Sequence, residues 1–141
     1  MLKTSGLFAT KPLCIFLPVL MKQAIRAKAR ELQLELKQRV TDQDIILTII
    51  FNFCESFDEK KFLKGVKIED IDSVLSPYSQ NVVSTSKKTY VNWNTELRQK
   101  YIQIIHRISW LTAHDIKPAV FTRYLLDRVL NDKDEGLLKV G

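Results

Sequence analysis

One pattern occurs twice in this chain. Leu13, Cys14, Ile15, Phe16 and Leu17 make a short extended run closed by Pro18, and two amphipathic helical stretches follow, the second opening at Val40 and Thr41. Thr89, Tyr90, Val91, Asn92 and Trp93 make another extended run, closed by Asn94 and again followed by two helical stretches, the second opening at Ile116 and Lys117. The interval is constant: Trp93 stands as far after Leu17 as Lys117 stands after Thr41. A strand with two helices is too small to bury its own apolar faces. Two such units can do so by pairing their strands and interlocking their helices. Few residues match between the copies, Lys11 with Lys87 and Gln23 with Gln99 among them. The repeat is therefore one of pattern and spacing.

A chain of 141 residues makes one ordinary domain or two very small ones. Its 45% hydrophobic content can fill a core, which argues against wholesale disorder. Four glycines and four prolines favour helices over a turn-rich β-sandwich. The formal charge of +6 suits a polyanionic partner, either nucleic acid or an anionic membrane surface. No apolar stretch approaches the ~18 residues of a membrane span. The apolar run from Leu13 to Met21 is short, broken by Pro18 and flanked by Lys11, Lys22 and Arg26. It matches the internal segment from Thr89 to Leu97, so it is expected to be part of the fold, not a secretory signal. Cys14 and Cys54 have neither metal-site spacing nor the number for a disulfide framework, which points to a reducing, cytoplasmic setting. Cys54 sits in the apolar run from Ile49 and is expected to be a small buried hydrophobe.

The expected organisation follows from periodicity. Residues 1–11 are a flexible arm, 12–54 the first unit, 55–87 an acidic linker, 88–130 the second unit and 131–141 a polar tail. The strands are placed at 12–17 and 88–93. In the first helix, Met21, Ile25, Ala29, Leu32 and Leu36 form one buried stripe. Thr41 is a good N-cap for the second, which carries Ile45, Ile46, Ile49, Ile50 and Phe53 and is expected to be the most buried helix. The linker holds Glu55, Asp58, Glu59, Glu69, Asp70 and Asp72, with one short helix near Ile68–Leu75 and a break at Ser84–Ser86. In the second unit the stripe is Leu97, Tyr101, Ile104, Ile105, Ile108 and Leu111. Its last helix opens at Pro118, a residue suited to a first helical turn, and carries Phe121, Leu125 and Val129. The fold class is thus mainly α with a two-stranded antiparallel ribbon.

This arrangement of two strands and four helices resembles the ribbon-helix-helix family of the Arc and MetJ type. The likeness covers about residues 12–54 and 88–130. With both units in one chain it resembles the tandem form that accompanies T-DNA processing in Agrobacterium, an intramolecular pseudo-dimer. The resemblance implies a ribbon that enters the major groove of double-stranded DNA, with alternate strand residues turned to the helices and to base edges. It also implies that the second helix of each unit aims its free amides at a phosphate. The role implied is a transcriptional regulator or a plasmid transfer or partition accessory factor.

Carried onto the second strand, this scheme turns Thr89, Val91 and Trp93 inward and makes Lys88, Tyr90 and Asn92 the base-reading residues. Lysine donates to guanine and asparagine pairs with adenine. Such a polar strand edge also serves solubility. Lys117 and the turn around Ile116–Ala119 are the expected phosphate contacts, with Lys87, Lys11 and Lys3 as further backbone contacts. The first strand departs from the scheme. Leu13, Ile15 and Leu17 face inward, which leaves Pro12, Cys14 and Phe16 outward, and Asp42 and Asp44 stand where a phosphate would approach. Three explanations stay open: a purely structural first half, a Phe16 that reads thymine methyls, or an apolar face for a second copy or another protein.

Nothing points to catalysis, a cofactor or a metal. His106 and His114 have no second ligand at metal spacing, and no Gly-rich phosphate loop or nucleophile elbow is present. Trp110 is expected in the core or an interface. The alternative from another class is an all-helical interaction subunit of a larger assembly, whose partner surface is either RNA or an acidic protein. There the extended runs are mere connectors, and Arg26, Lys28 and Arg30 face the partner.

Overall fold

The computed structural model describes residues 12–65, 71–78 and 87–131. Within them the chain is helical apart from two strands, β1 (Leu13–Leu17) and β2 (Lys87–Val91), paired antiparallel. Leu13 lies opposite Val91, Cys14 opposite Tyr90, Ile15 opposite Thr89, Phe16 opposite Lys88 and Leu17 opposite Lys87. The extended runs are bonded to each other, so they are not mere connectors. Alternation with a period of two buries Leu13, Ile15 and Leu17 on one strand and Val91 on the other. β2 starts one residue earlier than the sequence suggested and stops at Val91. There the backbone leaves the ladder: the Asn92 amide donates to Gln43 Oε1 at 3.2 Å. Trp93 then turns into the core, edge-on to Tyr101 at 5.9 Å between ring centres.

Helix α1 (Val19–Leu36) buries Ile25 and Ala29, with Met21 and Leu32 packed at the margin. Leu36, expected on the buried stripe, is exposed. Helix α5 (Thr95–Thr112) is capped by Asn94, whose side chain accepts from the Leu97 amide at 2.7 Å, and buries Leu97, Tyr101, Ile105, Ile108 and Thr112. Each of these helices ends on a left-handed residue that is not glycine, Lys37 and Ala113, both with φ of 55°. That conformation costs about 1–2 kcal/mol for an L-residue. Thr95 follows Val19, and Ala113 follows Lys37, at the same interval that separates the extended runs.

Helix α2 (Asp42–Ser56) opens with a capping box in which Thr41 Oγ1 accepts from the Asp44 amide and Asp44 accepts from the Thr41 amide. It buries Ile45, Ile46, Ile49, Ile50, Phe53 and Cys54. Full burial of an isoleucine side chain contributes about 1.5–3 kcal/mol. Helix α6 (Pro118–Leu130) starts at that same interval after α2. It is no less enclosed, with Phe121 to Leu126 all buried, so α2 is not the single most buried helix. The difference lies in polar residues that the core accepts because they are bonded. Thr122 Oγ1 donates to the Pro118 carbonyl and meets the Tyr101 hydroxyl at 2.7 Å, and Arg123 donates to two carbonyls.

The packing is reciprocal. α2 lies against α1, α5 and α6, while α6 also meets α1 and α5; α6 packs on β1, and α2 packs on β2. Phe53, Tyr101, Phe121 and Tyr124 form an aromatic chain through the centre. Between the second and fifth helices lie α3 (Glu59–Gly65), α4 (Ile71–Leu75) and a 3₁₀ turn at Ser76–Tyr78. α3 is a correction to the single linker helix expected. Asp58 Oδ1 accepts from the Lys60 and Lys61 amides and starts it, a signal that the charge of the segment obscured. Ile71 and Leu75 anchor α4 in the core, and the Tyr78 hydroxyl donates to Asp127. The expected arm 1–11, the break at Ser84–Ser86 and the tail from residue 132 lie outside the described residues. No described helix is long and apolar enough to cross a membrane.

Candidate nucleic-acid interface

The outer face of the ribbon is set by the same alternation that fills the core. Phe16 is 40% exposed and Tyr90 50% exposed, Lys88 is exposed, and Cys14 is half-buried between them. Pro12 and Asn92 are exposed one residue beyond the paired segment. Lys88 Nζ lies 6.0 Å from the centre of the Phe16 ring opposite and 5.3 Å from that of Tyr90, two residues along the same face. The ring faces attract the ammonium. A hydrogen bond with Tyr90 raises the Lys88 pKa above its ordinary value, so the group stays cationic. On the inner face, Thr89 is half-buried and its hydroxyl has no partner.

Each strand is gripped by one helix. Arg123 of α6 is 1% exposed; its Nη1 donates to the Phe16 carbonyl at 3.1 Å and its Nε to the Tyr78 carbonyl at 2.8 Å. Its Nη2 is buried without a partner, and burial lowers its pKa. At the other end of the ribbon, Gln43 of α2 holds the Asn92 amide. Neither residue stood out in the sequence as part of the site. A lone arginine inside the apolar run Phe121–Leu126 was the available sign, since a cation there must find oxygen acceptors.

The two helices open differently. Lys117 is an exposed N-cap, Pro118 follows it, no side chain takes the first amides, and the first turn has no acid. The opening of α6 is therefore electropositive. At α2 the Asp44 carboxylate already closes the capping box, and Asp42 meets Arg26 at 3.4 Å. A shallow hollow lined by Leu17, Val19, Lys22, Gln23 and Arg26 lies at the end of β1.

Of the other residues singled out, Lys87 takes part in β2 through its backbone, its side chain lying outside what is described, and Lys11 and Lys3 are outside the described residues. His106 is exposed, and His114 Nδ1 bonds the Thr112 carbonyl. Trp110 is not in the core: it is 73% exposed, with the Arg107 guanidinium 5.0 Å from its ring centre. Arg26 and Arg30 are exposed, and Lys28 pairs with Glu31 at 3.5 Å. Among the described residues no group of three His, Cys, Asp or Glu side chains is placed to hold a metal ion. No protein-family model, curated protein or solved structure matches the chain.

Proposed function

We propose that the chain binds double-stranded DNA as two ribbon-helix-helix units folded into an intramolecular pseudo-dimer, with the β1–β2 ribbon in the major groove. The observation that carries this reading is the ribbon itself. An antiparallel pair of short strands turns Lys88, Tyr90 and Asn92 to solvent on a protein of net charge +6. A two-stranded ribbon fits the major groove, about 12 Å wide, where donors and acceptors differ for every base pair. The pseudo-dimer is supported by spacing and packing. One interval separates the starts of α1 and α5 and the starts of α2 and α6, while α6 packs on β1 and α2 on β2.

Each part then has a role. Lys88, Tyr90 and Asn92 read base edges. The opening of α6 and Lys117 bind phosphate, while Asp42 and Asp44 weaken that contact at α2. Such a protein serves as a transcriptional regulator or as a plasmid transfer or partition accessory factor. The test is a titration of labelled duplex DNA with the full chain over a range of salt. Affinity is expected to fall roughly 10-fold or more between about 50 and about 200 mM salt, as two or more phosphate contacts require. Absence of binding at the lowest salt contradicts the reading.

A further inference from the structure

The outer face of the ribbon has two unlike ends. Its rungs are Phe16–Lys88 at one end and Cys14–Tyr90 in the middle, and Pro12 and Asn92 flank the other end. In a ribbon of two identical strands a two-fold axis exchanges the end rungs, and the DNA site is correspondingly palindromic. Here one end offers an ammonium beside a phenyl ring, and the other an exposed amide and an exposed proline.

We infer that this face recognises a duplex site without dyad symmetry, in which a guanine and an adenine stand in fixed order about four base pairs apart. The inference rests on the DNA reading above. Lysine donates to guanine O6 and N7, a phenyl ring packs on a thymine methyl, and an asparagine amide bonds adenine N6 and N7 in pair. Asn92 follows Lys88 by four residues and stands one past the end of β2, so at ~3.3 Å per extended residue their side chains leave the backbone up to ~13 Å apart. Base pairs rise ~3.4 Å each, so this span covers about four steps.

The helix openings have the same polarity. α6 meets the ribbon at Phe16 through Arg123, and its first turn, with Lys117 at its cap, has no acid. α2 meets it at Asn92 through Gln43, and its first turn carries Asp42 and Asp44. The phosphate backbone is thus held more firmly at the guanine end.

The test is a binding-site selection by the full chain from random duplex DNA, followed by the same selection with Lys88→Ala and with Asn92→Ala. Both side chains are exposed, and circular dichroism checks that the variants fold. The expected consensus has no dyad. Lys88→Ala lowers preference at the guanine end alone by tenfold or more, and Asn92→Ala does the same at the adenine end. Hydroxyl-radical footprints should be deeper at the guanine end. A palindromic consensus whose halves relax together overturns the inference and leaves DNA binding standing. An asymmetric consensus that survives both substitutions also overturns it. No enrichment over a scrambled control overturns the inference together with the sequence-specific reading beneath it.

Discussion

Cys14 and Tyr90 face each other across the ribbon, and they are also separated along the chain by the interval that separates α1 from α5. A shift that carries one helix onto the other therefore carries Cys14 onto its own cross-strand partner. If the halves are related by a pseudo-two-fold axis, that axis passes through this pair. The two side chains are a thiol and a phenol, so the pair at the centre of the ribbon is itself chemically unlike.

The two thiols should react very differently. Cys14 lies half-buried on the outer face, whereas Cys54 is 6% exposed and burial pushes its thiol up to about 12. The thiolate is the reactive form. Mass spectrometry after brief alkylation of the folded chain should find one adduct, at Cys14, and two after unfolding. An adduct at Cys14 stands in the middle of the proposed DNA face and should weaken binding at least tenfold. The Cys54 thiol is held protonated in the folded chain and ionises near 9.0 when released. Its contribution to stability is therefore complete below about pH 9 and is lost as pH rises from there toward 12. The urea midpoint should fall across that window, and a midpoint that is flat there counts against the burial of Cys54.

Arg123 should tolerate a change to methionine better than a change to lysine. Its fork reaches the carbonyls of Phe16 and Tyr78 at once, and no carboxylate among the described residues pairs with it. Lysine keeps a buried charge and loses the planar fork, which costs about 2–3 kcal/mol. Methionine loses the same bonds and removes the charge, so the penalty is smaller. Chemical denaturation of both variants checks the order. A lysine variant as stable as the parent shows that the two carbonyls do not depend on the fork.

Much of the fold was legible in the sequence because apolar spacing dictates which face of a helix is buried. Ile25, Ala29, Tyr101 and Ile105 follow that rule, as do the inward Leu13, Ile15 and Leu17. Departures occur where a polar contact outweighs the pattern. Gln43 takes the Asn92 amide out of the ladder and shortens β2. Asp58 starts α3 in a segment whose charge had marked it as a linker. Arg123 enters the core because two carbonyls distant in the chain, those of Tyr78 and Phe16, meet it there. On the candidate site, strand alternation alone gave the outward positions of Lys88, Tyr90 and Phe16. The closeness of Lys88 to both rings depends on the cross-strand register, which spacing does not specify.

Asp42→Asn should strengthen DNA binding. Asp42 lies in the first turn of α2, where its charge opposes an approaching phosphate, and its partner Arg26 is largely exposed. An exposed pair of this kind contributes about 0–1 kcal/mol, so stability should change little. Affinity for duplex DNA should rise a few-fold at low salt, and the gain should shrink as salt screens it. Unchanged or weaker binding, measured by anisotropy at two salt concentrations, places the opening of α2 away from the DNA.

The most direct test is the affinity of a Lys88→Ala and Asn92→Ala double variant for the selected duplex, measured beside the parent chain at equal salt. Both side chains are exposed and outside the core, so the fold is retained. Loss of the two base contacts should weaken binding at least tenfold, since a good bidentate pair is worth about 1–3 kcal/mol of discrimination. A double variant that binds the same site as tightly as the parent contradicts the account.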